Sequence, residues 1–280
     1  MSIRPRRSAL YMPASNAKAI AKARTLPCDV VILDLEDAVA PEAKDAARDA
    51  AVAAVREGGF GDRELVIRAN ALSTDWGAAD CAALAAAKPD AVLLPKVDDG
   101  EAVAAYAALL PGVALWAMVE TPRALLRLES LAGGPQLAAL VMGTNDIAKD
   151  LGMRAGADRL PFQGFFAQTV AAARASGLAV LDGVYNAIDD AGGFATECAQ
   201  GVQFGFDGKT LIHPSQVDPC NAAFSPTEEE VAWATTVERA FAAPDAAGMG
   251  AIRVEGKMAE RLHLEQARKT LAIAKAIGKS

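Results

Sequence analysis

Histidine and cysteine are scarce in this sequence, with two and four of them in 280 residues. Cys28, Cys81, Cys198 and Cys220 show no CxxC spacing, so a zinc cluster and a disulfide framework are both disfavoured, and the thiols read as reduced and buried. Basic residues are outnumbered, 28 Lys and Arg against 35 Asp and Glu, and the net charge of −7 argues against a nucleic-acid partner. No apolar run approaches the roughly 20 residues that cross a bilayer, and the opening MSIRPRRSALYMPAS lacks a long signal-peptide core. A cytoplasmic location without a membrane partner is the expectation. No GxGxxG follows the first strand and no GxSxG occurs, which removes support for a dinucleotide fold or a serine hydrolase. FDGKT fails as a phosphate loop, because Gln203 stands where the pattern needs glycine.

What is present is apolar and alternating. Hydrophobic residues make up 52% of the chain, many of them alanines in helix-like periodic stretches. The most informative stretch is residues 114–152, where the apolar runs Leu115 to Val119 and Leu137 to Met142 each end close to a carboxylate, Glu120 and Asp146. Short continuous apolar runs suit strands buried on both faces of a parallel sheet. Between them, TPRALLRLESLAG opens with Thr121 and a first-turn proline and closes on Gly133 and Gly134, which predicts one crossover helix. Both acids then fall at the same rim. Two carboxylates without a nearby histidine suit a hard cation such as Mg²⁺, with Mn²⁺ as a substitute; the plainer reading is that each acid caps a following helix.

The same unit recurs along the chain. Ser8 to Pro13 is a strand, and Asn16 caps a helix that displays Lys18 and Lys22 on one face, either as a solvated surface or as a basic patch for ligand phosphates. Val30 to Leu35 is a strand with Asp34, Glu36 and Asp37 at its end; strand alternation sends Asp34 and Glu36 to one side and Asp37 to the other. ELVIRAN ends a third strand with Arg68, AVLLPKV a fourth with Lys96, LAVLDGVYN holds a seventh and GKTLIHP an eighth. Eight strand and helix alternations predict a (β/α)₈ TIM barrel with its site at the carboxyl ends of the strands; a doubly wound open sheet is the competing architecture. The reading assigns residues 1–224 to the barrel and 225–280 to C-terminal helices, with a glycine-bearing hinge, APDAAGMGAIRVEGKMAE, serving as a lid segment.

LDLEDAVAP, VIRAN, LLPKV, VETPRALL, GTNDIAKDLG, GFDGKTLIHPSQ and the terminal EGKMAERLHLEQA, in that order over nearly the whole chain, resemble the citrate lyase beta-subunit-like acyl-CoA lyases of the HpcH/HpaI aldolase superfamily, malyl-CoA lyases included. The resemblance implies a Mg²⁺-dependent barrel, assembled as a homotrimer or homohexamer, that binds coenzyme A thioesters. It matches Glu120 and Asp146 to the metal ligands and Arg68 to the arginine that holds the substrate carbonyl oxygen. It also matches Glu36 and Asp37 to acids standing behind the metal, and Lys96 to a lysine at the rim. Where many members carry an aspartate in the tail, supplied to a neighbouring subunit, this chain has Glu260 in GKMAERL.

The reaction so implied breaks the C2–C3 bond of a 3-hydroxyacyl-CoA, such as malyl-, citramalyl- or methylmalyl-CoA, into an acyl-CoA and a 2-oxo acid. Arg68 would stabilise the enolate oxygen and Glu260 would exchange the proton. Hydrolysis of the same thioester is the nearest alternative, and a non-catalytic subunit of a larger complex is the third.

Overall fold

In the computed structural model, residues 4–154, 156–243 and 246–278 are described. They fall into two compact units, Arg6–Ala223 and a C-terminal unit from Phe224 joined by the first few residues.

The first unit is a closed parallel barrel. Its strands are β1 (Ser8–Pro13), β2 (Val30–Asp34), β3 (Glu64–Arg68), β4 (Ala91–Leu94), β5 (Ala114–Val119), β6 (Leu137–Met142), β7 (Ala179–Asp182) and β8 (Gly208–Leu211). Each pairs with the next, and β8 returns to β1 with Thr210 opposite Ala9. Gly208 makes that closure possible: a Cβ there would run into the carbonyl oxygens of Arg6 and Arg7, so only glycine lets β8 approach so closely. The open-sheet alternative is thereby excluded.

Helices α1 (Ala17–Ala23), α2 (Lys44–Glu57), α3 (Gly77–Ala87), α4 (Gly100–Leu109), α5 (Pro122–Leu126), α6 (Leu128–Ala132), α7 (Thr144–Leu151), α8 (Gln163–Ala175), α9 (Ala191–Phe204) and α10 (Val217–Ala223) link the strands or follow β8. The alanines do the packing: α2 buries Ala47, Ala51 and Ala54, one stripe at helical spacing. Asn16 caps α1 as expected, its Oδ1 accepting from Ala19 N at 3.1 Å. The expected single crossover helix after β5 is instead α5 and α6, broken at Arg127 (φ −126°, ψ 26°), whose guanidinium is drawn to Asp99 at 2.6 Å.

Inside the barrel, every second residue faces the axis. Ala9, Val30, Ile32, Val66, Leu93, Trp116, Met118 and Val141 form one apolar cluster, with Tyr11 packed against it. Continuing that alternation by one step carries Ile32 to Asp34, Val66 to Arg68 and Met118 to Glu120. The period that builds the core thus also aims the charged residues into the barrel mouth.

In the C-terminal unit, α11 (Glu228–Ala242) starts with a capping box, Thr227 Oγ1 accepting from Glu230 N at 3.1 Å and Glu230 Oε2 from Thr227 N at 2.8 Å. The stretch expected to be a hinge contains a hairpin, β9 (Ala251–Val254) with β10 (Lys257–Glu260). Its turn residues Glu255 and Gly256 both have positive φ, 47° and 82°, the geometry of a two-residue type I′ turn. Val237, Val254, Ala259 and Leu264 then bury a small core between α11, the hairpin and α12 (Arg261–Ala276), so ladder bonds and packing hold the segment as ordered structure. Residues 244 and 245 of the expected hinge lie outside the described residues.

Candidate active site

A cavity of about 300 Å³ opens at the carboxyl ends of the strands, lined by Tyr11, Arg68, Met118, Glu120 and Asp146 among others. Glu120 follows β5 and is buried, 1% exposed. Its Oε1 accepts from the backbone N–H of Lys96 at 2.7 Å. Asp146 sits in the first turn of α7, where the helix N-terminus favours a carboxylate. The Lys96 ammonium joins the two acids, 2.5 Å from Asp146 Oδ2 and 3.4 Å from Glu120 Oε1. Lys96 lies two residues beyond β4, at φ 52°, and that left-handed backbone turns its N–H toward Glu120.

Burial pushes the Glu120 carboxyl up, the Lys96 ammonium and amide oppose the shift, and the charge of Asp146 adds to it. The Lys96 ammonium is also raised: burial works against its charge, but the hydrogen bond to Asp146 and the charge of Glu120 outweigh that.

Arg68 leaves β3 into a nest of acids. Its Nε and Nη2 donate to the two oxygens of Asp34, both at 2.6 Å, and its Nη1 reaches Asp37 at 3.2 Å and lies 2.9 Å from Glu36 Oε2. The expected separation of Asp37 from Asp34 and Glu36 is therefore wrong. The strand ends at Asp34, so alternation stops there, and the turn brings all three acids to one guanidinium. Burial opposes the charge of Arg68, yet Asp34 and its neighbours hold its pKa well above the ordinary value. Burial pushes the Glu36 carboxyl up to about 8 against the pull of Arg68, with Glu120, Asp37 and Asp34 adding to the rise.

Three participants were not singled out from sequence. Asp34 was grouped with its neighbours but is the bidentate partner of Arg68. Tyr11 lies with its ring 4.9 Å from the Arg68 guanidinium and its hydroxyl 3.6 Å from Met118 Sδ; the only signal was a phenol inside an apolar run. Lys44, 6% exposed, donates from Nζ to the carbonyls of Leu35 and Glu36 at 2.8 and 2.7 Å and so fixes the acid-bearing turn. Nothing in the sequence separates it from the other basic residues of α2. Lys18 and Lys22 are exposed on α1 and do not line the cavity. Glu260 belongs to the C-terminal unit, where its N–H donates to His263 Nδ1 at 2.9 Å.

Lys209 of the rejected phosphate loop is fully buried, with Nζ on Asp182, the Gly183 carbonyl and Glu197 at 3.1, 2.5 and 2.5 Å, and Arg159 completing the cluster through Asp182. The four cysteines are buried and unpaired.

A model of the HpcH/HpaI aldolase/citrate lyase family matches residues 7–214. The chain belongs to that family. Over 273 residues it is 46% identical to (3S)-malyl-CoA thioesterase of Cereibacter sphaeroides, covering 98% of this chain and 96% of the relative. It is 31% identical to the mitochondrial citramalyl-CoA lyase of Homo sapiens, covering 98% and 86%. Among solved structures it resembles CitE of Mycobacterium tuberculosis in complex with magnesium, acetoacetate and coenzyme A, with a TM-score of 0.78, 31% identity and 98% of both chains covered. Family membership makes this chain an enzyme of a group that handles CoA esters, and Mg²⁺ is a ligand found in that group.

The donors at the mouth fit such an ion. Among the described residues no cluster of three or more His, Cys, Asp or Glu side chains is placed to hold a metal. Two convergent carboxylates are what Mg²⁺ uses when water and substrate oxygens complete its octahedron. Among the described residues no helix is long and apolar enough to cross a membrane.

Proposed function

We propose that this chain hydrolyses the thioester of a 3-hydroxy dicarboxylic acyl-CoA, (3S)-malyl-CoA or a close analogue, releasing free CoA and the hydroxy acid. The observation that carries this order of preference is the 46% identity over 98% of the chain to enzymes named (3S)-malyl-CoA thioesterase. The reading from sequence put carbon–carbon cleavage first, and that reaction is retained as the second.

Glu120 and Asp146 would hold Mg²⁺, which when bound supplies a Lewis acid for the hydroxyl and carboxylate of the malyl end. Arg68, kept charged and oriented by Asp34, offers its remaining N–H to an oxygen that gains negative charge. In hydrolysis that oxygen is the thioester carbonyl: water adds to the carbon, a carboxylate takes its proton, and the C–S bond then breaks. In cleavage it is the enolate oxygen formed as the C2–C3 electron pair moves toward the thioester, while the C3 hydroxyl loses its proton. Glu260 of a neighbouring subunit is the candidate carboxylate for either proton, within a homotrimer or homohexamer. Lys96, Lys18 and Lys22 are candidate contacts for the CoA portion, with Lys96 already committed to the two metal-site acids.

Product analysis separates the readings. Incubation with malyl-CoA and Mg²⁺ is expected to yield free CoA and malate. Acetyl-CoA and glyoxylate in equal amounts would establish the lyase instead.

A further inference from the structure

The floor of the cavity holds a donor that none of the foregoing steps uses. Tyr11 is on β1 and Met118 on β5, four strands apart around the barrel, so the phenol spans the axis directly beneath the charged layer. The Arg68 guanidinium lies 4.9 Å from its ring centroid, and Tyr11 lines the cavity. Among the described residues its hydroxyl has a single hydrogen-bond partner, Met118 Sδ at 3.6 Å. A thioether is a weak acceptor at the limit of hydrogen-bonding distance, so the O–H gives up little on turning to an oxygen in the cavity. Burial, only partly offset by Arg68, keeps the phenol protonated and hence a donor.

Arg68 leaves room for such a partner. Its hydrogen bonds to Asp34 and Asp37 occupy three of the five N–H groups a guanidinium carries, and Nη1 also lies 2.9 Å from Glu36 Oε2, which leaves one N–H, on Nη2, for a further oxygen. The two donors are also held together, because the ring of Tyr11 packs on the face of the guanidinium it would assist.

We propose that the Tyr11 hydroxyl, together with Arg68, forms the oxyanion site for the thioester carbonyl oxygen. The inference rests on the reading that this cavity takes a CoA thioester. In hydrolysis, water adds to the carbonyl carbon, the carbonyl π pair moves to oxygen, and that oxyanion accepts hydrogen bonds from Tyr11 and Arg68 until the C–S bond breaks and the thiolate takes a proton. Tyr11 keeps its own proton throughout. In carbon–carbon cleavage the same two donors meet the enolate oxygen.

Tyr11→Phe removes one oxygen and keeps the ring. With malyl-CoA and Mg²⁺ it is expected to lose about 10²-fold in kcat, the usual cost of one oxyanion donor, with KM within about threefold of the parent. Its melting temperature and its affinity for Mn²⁺, read by electron paramagnetic resonance, should match the parent. The pH profile of kcat between pH 6 and 9 should keep its shape in Tyr11→Phe, because burial holds the phenol protonated throughout that range. A kcat for Tyr11→Phe within threefold of the parent, or a change confined to KM, overturns the assignment. A parent protein without turnover on any thioester of a 3-hydroxyacyl panel overturns the functional reading and this inference with it; turnover in the parent matched by Tyr11→Phe overturns the inference alone.

Discussion

Lys96 and Glu120 meet twice: the lysine amide donates to Glu120 Oε1 at 2.7 Å, and the lysine ammonium stands 3.4 Å from the same oxygen. The backbone contact orients the carboxylate and the side chain neutralises it. Lys96→Met separates the two, since the amide remains while the cation is lost. Removing a positive charge a few ångström from the proposed divalent-cation site should tighten Mn²⁺ binding by about tenfold or more, since a unit charge at ~4 Å is worth about 4 kcal/mol at an effective dielectric of ~20 and a tenfold change needs only about 1.4 kcal/mol. Titration of Mn²⁺ at low ionic strength checks this, and unchanged affinity would show that Lys96 does not share the metal's position.

Gly143, between β6 and α7, carries no Cβ because Glu120 occupies that space: an added methyl would meet Glu120 Cβ and lie 2.9 Å from its Oε2. Gly143→Ala should therefore displace the Glu120 carboxylate, proposed as a metal ligand, without touching it chemically. The expected outcome is a loss of Mg²⁺-dependent activity approaching that of Asp146→Ala, with an overpacking penalty of about 1–3 kcal/mol seen in denaturant unfolding. Asp146→Ala should abolish turnover while the barrel stays folded. Full activity in Asp146→Ala that chelator still removes would place the metal elsewhere.

Arg68 is fixed by a two-point contact with Asp34, both bonds 2.6 Å long. Lysine keeps the charge but not the fork, so Arg68→Lys should lower kcat by about 10². Steady-state kinetics decide the role: an effect on KM alone would make Arg68 a binding residue.

Glu36 sets a pH dependence of stability. Burial raises its carboxyl from 4.5 to about 8 in the folded protein. Between those values the folded chain holds a proton that the unfolded chain has released, so stability falls as pH rises. The unfolding midpoint is expected to decline from pH 5 to pH 8 more steeply in the parent than in Glu36→Gln, whose amide does not titrate. Parallel curves for the two proteins would mean that Glu36 is ionised across the range.

Glu260→Gln tests whether a site is shared between subunits. It should suppress release of free CoA while leaving Mn²⁺ binding intact. Mixing it with Asp146→Ala under conditions where subunits exchange should recover part of the activity, because hybrid oligomers contain sites with both carboxylates. No recovery would confine Glu260 to its own subunit or to a structural role.

Much of the barrel was legible in the sequence because its signals are local. A strand buried on both faces must be a short apolar run, a helix start must satisfy its own N–H groups, and Ser8 to Pro13, Leu137 to Met142 and the cap Asn16 follow from that alone. Glu120 and Asp146 reach the same rim because parallel strands all end on one side. The hairpin 251–260 was not legible, since Glu255 adopts positive φ without the asparagine or glycine that usually announces such a turn. Only the closed tertiary structure decided that Tyr11 lies under Arg68, that Asp37 turns back to the guanidinium, and that the Lys96 amide binds Glu120. These contacts join residues 24 to 57 positions apart across a curved wall. Their geometry depends on barrel closure and on how each strand terminates, and no spacing within a single segment encodes either.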